Sequence, residues 1–174
     1  MEKVLLLHSS CDGQTIKILR YIEQQLGGHY QCETQDIHPS PEIDFTRYDR
    51  VLIGASVRYG HLNKKLYQFV EQNQQALEKH KTAFFCVNLT ARKPGKDTPE
   101  TSVYVQKFLQ KSPWQPKLLA VFAGALRYPR YNWFDRTMIQ LIMRMTGGET
   151  DTTKEVEYTD WDRVSAFSQA FRQL

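Results

Sequence analysis

The segment KVLLLH at residues 3–8 is followed directly by SSCDGQT at residues 9–15, and together they indicate a strand that turns into a helix. The first segment is apolar without polar alternation, which is typical of a strand buried on both faces. Apolar residues then recur at helical spacing as far as Gly27-Gly28, at Ile16, Leu19, Ile22 and Leu26. A buried strand, a polar turn and an amphipathic helix form the unit from which parallel sheets are built.

The same unit recurs along the chain. Apolar runs predict three more strands, at residues 50–55, 82–89 and 118–123, and residues 30–37 are a plausible further strand. The third strand is followed by a helix with one apolar face, made of Leu62, Leu66, Phe69 and Val70. Strands that alternate with helices predict an α/β fold with a five-stranded parallel sheet and helices on both faces. The 174 residues contain no internal repeat and no linker, so we expect a single domain over residues 1–174.

Bulk composition excludes several classes of protein. Apolar residues make up 41% of the chain, which argues against disorder. No run of about 18 apolar residues predicts a membrane-spanning helix, and the N-terminal apolar run is too short for a signal peptide. Three cysteines, Cys11, Cys32 and Cys86, lack metal-ligand spacing and suggest reduced thiols in the cytoplasm.

The net charge of +4 is concentrated in one segment. Residues 117–144 contain five cations and one anion, Asp135, so this segment accounts for the whole net charge of the chain. Such asymmetry favours an anionic partner: a carboxylated substrate, a phosphate or an acidic membrane surface.

The loops at the carboxyl ends of the strands should hold any ligand, since open parallel sheets bind there. The first loop, residues 9–15, places hydroxyls and a glycine before a helix N-terminus, where an anion is favoured. It lacks the GxGxxG fingerprint and a Walker A lysine, so a mononucleotide phosphate fits better than NAD or ATP. An ordinary βα turn with an N-cap explains this loop about equally well.

Two further loops carry unusual residues. Residues 54–61, GASVRYGH, combine small residues with Tyr59, which can stack on a flat ring or lie on the surface of a turn. Residues 88–91 follow the fourth strand, and the cations Arg92, Lys93 and Lys96 come directly after them. That basic cluster suits either anion recognition or solvation.

The first loop resembles the phosphate loop T-x-T-G-x-T of flavodoxins, with Ser10, Gly13 and Thr15 in matching places. Asp12 stands where flavodoxins carry a hydroxyl, and a carboxylate beside a phosphate is unfavourable, so we expect Asp12 to cap the helix. Over the whole chain, GASVRYGH, VNLTARKPGKDTP, AGALRYPRYNWFDR and GGETDTTKEVEYTDW are similar to the bacterial quinone-dependent protoporphyrinogen IX dehydrogenases. Cys11 departs from that family at a position where a variable or basic residue is expected.

This resemblance implies a flavodoxin-like fold with a long insertion after the fifth strand, at about residues 124–152, and FMN as cofactor. It implies oxidation of protoporphyrinogen IX in heme biosynthesis, by loss of six electrons and six protons in three two-electron steps. The electrons pass to menaquinone or ubiquinone, with the enzyme bound peripherally on the cytoplasmic side of the inner membrane. The expected FMN contacts are Ser10, Cys11, Asp12, Gly13, Gln14, Thr15, Ser56, Val57, Arg58, Tyr59, Gly60, Asn88, Leu89, Thr90, Ala91, Thr150, Asp151 and Thr152.

The insertion distinguishes this chain from small acidic electron carriers, because it interleaves arginines with aromatic residues. We expect the cations to attract the substrate propionates and the aromatic residues to contact the macrocycle. The residues concerned are Arg92, Lys93, Arg127, Tyr128, Arg130, Tyr131 and Trp133. One basic segment on a neutral domain is thin support for a nucleic acid partner, and none is expected.

The pattern predicts a helix at residues 133–146, ended by Gly147-Gly148. Its apolar face is formed by Phe134, Met138, Leu141, Ile142 and Met145, and Ile139 and Met143 widen it. This face either packs on the sheet or contacts the membrane, and the two roles can coexist. After it we expect an extended piece at 154–160 and a closing helix at 160–174 with Trp161, Val164, Phe167 and Phe171 inside.

Two other functions stay open at this point: a flavodoxin-like electron-transfer protein, and an NAD(P)H:quinone reductase on the same fold. His61 could exchange protons near the ring-binding loop, although a lone histidine is more often structural. The sequence leaves the preferred quinone, the catalytic base and the formation of a homo-oligomer undetermined.

Overall fold

The computed structural model describes residues 1–10 and 12–174, and its main feature is one parallel sheet. The strands are β1 (Glu2–Ser9), β2 (Tyr30–Asp36), β3 (Arg50–Ser56), β4 (Lys81–Asn88) and β5 (Leu118–Ala123). They lie in the order β2-β1-β3-β4-β5, with every neighbouring pair parallel. The predicted five-stranded parallel sheet is therefore confirmed.

Six helices are described. They are α1 (Gln14–Leu26), α2 (Lys64–Gln72), α3 (Gln74–Lys79), α4 (Val103–Lys111), α5 (Trp133–Thr146) and α6 (Trp161–Arg172). The sequence did not predict the short helices α3 and α4. Leu62, expected on the face of α2, lies before the N-cap Asn63 and is buried there.

The sheet is covered on both faces because its strands alternate between two cores. Leu5, Leu7 and Ile53 face a core shared with α2, α3 and α4. Val4, Leu6 and Leu52 point the other way, toward a core shared with α1 and α6. This alternation explains why the inner strands β1, β3 and β4 are apolar over most of their length. It also places α1 and α2 on opposite faces, so a crevice opens between the carboxyl ends of β1 and β3.

The insertion forms a small unit with its own sheet and core. Two short antiparallel strands, β6 (Ala125–Arg127) and β7 (Glu155–Glu157), tie its two ends together. Its core consists of Leu126, Tyr128, Tyr131, Ile139 and Met143. The extended piece predicted at 154–160 contains β7, and the closing helix is α6.

Helix α5 turns a different face inward from the one that its sequence favoured. Ile139 and Met143, expected at the margin of the apolar arc, are the buried residues of α5. Met138 is partly buried, and the remaining large apolar side chains of α5 are exposed, namely Trp133, Phe134, Leu141, Ile142 and Met145. No helix in residues 1–10 and 12–174 is long and apolar enough to cross a membrane.

Candidate functional site

The loop between β1 and α1 is built to receive an anion. Gly13 adopts the left-handed conformation, with φ 84° and ψ −9°, and its N–H donates to Ser10 Oγ at 3.2 Å. The first turn of α1 contains no acidic residue, so its free N–H groups and helix dipole favour negative charge. Thr15 is fully buried, and among the described residues its Oγ1 has no hydrogen-bonding partner.

Asp12 does not cap α1, which corrects the expectation from sequence. Gly13 is the N-cap residue, and the Asp12 carboxylate instead accepts hydrogen bonds from Arg58 Nη1, at 2.6 Å to each oxygen. The guanidinium compensates the carboxylate, so its negative charge is tolerated beside the anion-binding loop.

The loop after β3 ends in a tight hairpin. The N–H of Arg58 donates to the carbonyl of His61 at 2.9 Å, and the N–H of His61 donates back at 3.0 Å. Tyr59 and Gly60 between them have φ of 50° and 79°, which is the backbone of a type I′ turn. A tyrosine at positive φ is costly, and such residues concentrate at functional sites.

Arg58 joins three elements of the site. Its Nη1 binds Asp12, and its Nη2 donates to Asp135 Oδ2 of helix α5 at 2.6 Å. The Tyr59 hydroxyl also donates to Asp135, and the guanidinium lies 5.4 Å and 5.5 Å from the rings of Tyr59 and Tyr131. Burial alone would lower the pKa of Arg58, but the two carboxylates outweigh it and raise that pKa. The hydrogen bond from Tyr59 and the charge of Arg58 hold the pKa of Asp135 below its usual value.

The loop after β4 is fixed by Asn88 and Arg92. Asn88 is buried, and its Oδ1 accepts from the N–H of Ala91 at 2.9 Å. Arg92 donates through Nη1 to the carbonyl of Leu89 at 2.8 Å, and through Nη2 to Thr146 Oγ1 at 3.0 Å and to its carbonyl at 3.2 Å. A cation at the last carbonyls of a helix is favourable.

Helix α5 is thus held over the site at both ends by one arginine from each loop. Arg58 holds its first turn through Asp135, and Arg92 holds its last turn through Thr146. Beneath it lies a cavity of about 130 Å³. The lining comprises Asp12, Val57, Arg58, Tyr59, Gly60, Asn88, Leu89, Thr90, Arg92, Tyr104, Ala125, Tyr131, Ile139, Ile142, Met143 and Thr146.

A smaller cavity of about 40 Å³ lies against the loop between β1 and α1. Its lining comprises Ser10, Asp12, Gln14, Thr15, Ser56, Val57, Val87, Asn88, Gly124 and Ala125. The two cavities share Asp12, Val57, Asn88 and Ala125. An anion-binding pocket therefore adjoins a half-apolar pocket, which suits a molecule with a phosphate at one end and a flat ring at the other.

Most of the residues expected at the cofactor come together in these two cavities. The residues from the first three loops that line one or both are Ser10, Asp12, Gln14, Thr15, Ser56, Val57, Arg58, Tyr59, Gly60, Asn88, Leu89 and Thr90. Gly13 and Ala91 support the same loops from behind the lining. Cys11 lies outside the described residues.

Thr150, Asp151 and Thr152 line neither cavity, in contrast to the expectation. The carbonyl of Thr150 accepts from Gln140 of α5 at 2.9 Å, and the carbonyl of Glu149 accepts from the Tyr128 hydroxyl at 2.5 Å. These bonds keep the segment against the insertion's own core rather than against the loops.

The residues expected to bind substrate separate into three groups. Arg92 and Tyr131 line the larger cavity. Lys93, Arg130 and Trp133 lie outside its lining, and Trp133 is 76% exposed. The structure does not support the expected substrate contacts of Tyr128 and Arg127. Tyr128 is fully buried, and the Arg127 side chain is 11% exposed and hydrogen-bonded to Gln14. Neither of these two can reach a ligand at the surface in this arrangement.

Two histidines, His61 and His38, lie near the site but line neither of its two cavities. His61 is exposed on the far side of the hairpin and lines a separate groove with Lys64 and Lys65. His38 Nε2 lies 2.8 Å from Ser9 Oγ, but its Nδ1 is 3.9 Å from Asp36 and Ser9 is 2% exposed. A buried serine beside so loosely held a histidine is not a nucleophile for hydrolysis.

The sequence reasoning missed residues that reach the site from distant elements. Asp135 was counted only as a charge, and Tyr104 of α4 and Thr146 of α5 were not considered. Nothing in local sequence connects Asp135 with Arg58 across 77 positions. The only available signal was the apolar arc of α5, which places Ile139 and Met143 together.

Comparison with known proteins agrees with this geometry. A family model described as flavodoxin domain matches residues 5–153. The protoporphyrinogen IX dehydrogenase [quinone] of Escherichia coli (strain K12) is 49% identical over 99% of this chain and 96% of its own length. The chain belongs to the protoporphyrinogen IX dehydrogenase family. The relative of that name in Leishmania major is 48% identical over 99% of this chain and 75% of its own length.

Solved structures show the same fold at much lower identity. Oxidised flavodoxin 1 from Bacillus cereus has a TM-score of 0.55 and 16% identity, covering 98% of this chain and 97% of that one. A flavoprotein in complex with FMN from Lactobacillus acidophilus NCFM has a TM-score of 0.50 and 17% identity, covering 70% of this chain and 93% of that one. The curated relatives thus match this chain over nearly its whole length, and the solved structures share its fold.

Proposed function

We propose that this chain is an FMN-dependent enzyme that oxidises protoporphyrinogen IX to protoporphyrin IX with a respiratory quinone as acceptor, in heme biosynthesis. The balance is one porphyrinogen and three quinones giving one porphyrin and three quinols, since six electrons and six protons leave the macrocycle. The single observation that carries the proposal is the near-full-length identity of 49% to protoporphyrinogen IX dehydrogenase [quinone]. The paired cavities supply its physical basis.

The residues present fit the phosphate of FMN. Thr15 Oγ1 is a buried hydroxyl that lacks a partner among the described residues and lines the smaller cavity. The left-handed Gly13 and the acid-free first turn of α1 complete a site for a phosphate. A buried polar atom without a hydrogen bond costs free energy, so a ligand that accepts from Thr15 offsets that cost.

The larger cavity fits the ring of the flavin. Val57 and Leu89 offer apolar walls on its two loops, and Ile139 and Met143 close it from α5. Tyr59 lies in the turn of the loop after β3, where an aromatic face can stack on a ring. Bound FMN supplies the two-electron redox chemistry, while these residues bind it, orient it and exclude water.

The substrate site is proposed beside this ring, with Arg92 for a propionate and Tyr131 for the macrocycle. The cavity of about 130 Å³ is smaller than the roughly 300–1,000 Å³ of ordinary small-molecule sites, so we propose that α5 moves outward to admit the macrocycle beside the ring. Arg92 loses its bonds to Thr146 in that movement and becomes available to a carboxylate. The contacts at both ends of α5 therefore control access.

The exposed face of α5 fits a membrane surface on the cytoplasmic side. Trp133 and Met145 are 76% and 79% exposed, and Ile142 is both exposed and part of the cavity lining. Exposed apolar patches mark interaction sites, and an amphipathic helix with tryptophan and arginine is typical of interfacial binding. A peripheral contact of this kind presents the cavity to menaquinone or ubiquinone dissolved in the bilayer.

The membrane contact is tested by sedimentation with anionic lipid vesicles. Replacing Trp133 and Met145 with serine should reduce the bound fraction several-fold without altering the far-UV spectrum, since it removes exposed apolar area. Lys107→Gln on α4 is the control. Equal binding of the variant and the native protein would remove the membrane from the proposal.

The enzymatic proposal is tested by steady-state oxidation of protoporphyrinogen IX, followed by porphyrin fluorescence with and without added quinone. We expect turnover that depends on FMN and quinone and that NAD(P)H does not replace. Arg92→Gln should raise KM for the porphyrinogen. Flavin reduction by NAD(P)H without porphyrinogen oxidation would favour an NAD(P)H:quinone reductase instead.

A further inference from the structure

Arg127 lies directly behind the loop that is proposed to hold the phosphate. Its Nη2 donates to Gln14 Oε1 at 2.6 Å. Gln14 is the first residue of α1, is 4% exposed and lines the smaller cavity. Its Nε2 donates to Thr159 Oγ1 at 2.9 Å, and Thr159 in turn donates to the carbonyl of Ala123 at 2.6 Å. Both ends of the Gln14 carboxamide are therefore fixed.

This buried guanidinium is only partly compensated. The closest carboxylate, Glu157, lies 3.7 Å from Arg127 Nη2, and the same carboxylate is 2.5 Å from Lys17 Nζ. Arg127 and Lys17 therefore share one carboxylate beside α1. Arg127 Nη1 is buried and has no hydrogen-bonding partner in the described part of the chain.

Any positively charged side chain near the smaller cavity lies outside its described lining. The described residues that line it include no lysine or arginine, and they include Asp12. The Asp12 carboxylate is already paired with Arg58. A phosphate bound there meets hydroxyls, N–H groups and the helix dipole. Two cations are hydrogen-bonded to the loop: Arg58, which is shared between the carboxylates of Asp12 and Asp135, and Arg127.

We propose that Arg127 is a positioning residue of the phosphate site, which fixes Gln14 and supplies the charge that selects a phosphorylated flavin over riboflavin. This inference rests on the proposed function, because it requires FMN to bind in the smaller cavity. It assigns Arg127 to the cofactor's phosphate and not to the substrate propionates.

The selection follows from the position of the charge. A phosphate dianion interacts with a cation held about one side chain away, and partial burial keeps that interaction from being screened. Riboflavin has a hydroxyl at the same end and gains almost nothing from the cation. Removing the charge therefore weakens FMN binding and leaves riboflavin binding nearly unchanged.

The test is the affinity of the protein, freed of flavin, for FMN and for riboflavin, measured by quenching of flavin fluorescence. Arg127→Gln should weaken FMN binding about tenfold or more and change riboflavin binding less than about twofold. Arg127→Lys should restore most of the FMN affinity. The matched control is Arg130→Gln, an arginine of the same segment that is exposed and paired with Glu155.

A second variant avoids reliance on the folding of Arg127→Gln. Gln14→Glu keeps the size of the side chain and places a carboxylate between Arg127 and the phosphate, so FMN affinity should again fall more than riboflavin affinity. Equal loss for both flavins, or no loss in either variant, would overturn the role of Arg127. Failure of the native protein to bind FMN would instead overturn the proposed function.

Discussion

Thr15→Val is expected to change the flavin-free protein and the flavin complex in opposite directions. Thr15 is fully buried, and its hydroxyl has no partner within the described residues. Valine has the same shape, so the substitution removes an unpaired buried hydroxyl and should stabilise the flavin-free protein by about 1 kcal/mol. For a domain of this size that is a rise of roughly 2–4 °C in Tm.

In the complex the same change removes a hydrogen bond to an anion. Such a bond contributes about 1.5–3 kcal/mol, so FMN affinity should fall about 10- to 100-fold. Thermal unfolding without flavin and titration with FMN measure the two effects. Thr15→Ser, which keeps the hydroxyl, should retain most of the affinity.

A control for the first effect is Ser168→Ala, which removes a buried hydroxyl that donates to the carbonyl of Val164 at 2.9 Å. It should destabilise the protein slightly and leave FMN affinity unchanged. If Thr15→Val destabilises the flavin-free protein and binds FMN as the native protein does, the hydroxyl has a partner within the protein and does not bind the phosphate.

Three further predictions concern the sheet and helix α5. Gly54→Ala places a Cβ 2.3 Å from Cζ of Phe85, which is fully buried, so we expect destabilisation by about 1–3 kcal/mol in denaturant unfolding; an unchanged midpoint would contradict the packing. Asp135→Asn weakens the contact with Arg58, so amide hydrogen exchange in α5 should accelerate while that in α6 stays constant; equal rates in the variant and the native protein would show that this contact does not hold the helix. The Tyr59 hydrogen bond and Arg58 lower the pKa of Asp135, so the contacts of its carboxylate stabilise α5 at neutral pH and are lost as pH falls below about 4. Amide hydrogen exchange in α5 of the native protein should therefore accelerate below about pH 4, and no such acceleration is expected in Asp135→Asn.

The sheet could be predicted from sequence because its signals are local. Runs such as residues 51–55 are apolar throughout, and each is bounded by turn residues, so the positions of these strands along the chain could be predicted without tertiary information. Helix α4 was missed because it is short and begins with the exposed Val103. The strands β6 and β7 were missed as a pair because each has three residues and their partners lie about 30 positions apart in sequence.

The three loops of the site could also be predicted, since in a parallel sheet they meet at the carboxyl ends of the strands. The role of single charges could not. The sequence predicts that Asp12 caps a helix, but Asp12 pairs with Arg58. It predicts that Arg127 contacts the substrate, but the Arg127 side chain points inward and binds Gln14. Each of these partners depends on how the insertion docks on the sheet, and sequence spacing carries no information about that.

The proposed activity requires electron transfer from protoporphyrinogen IX to the flavin and from the flavin to a quinone. The most direct measurement is an anaerobic one, in which protoporphyrinogen IX is added to the FMN-loaded protein and the flavin absorbance is recorded. We expect bleaching that reverses on addition of a quinone, with three flavins reduced for each porphyrin that appears by fluorescence. A flavin that stays oxidised in the presence of protoporphyrinogen IX would contradict the proposed activity.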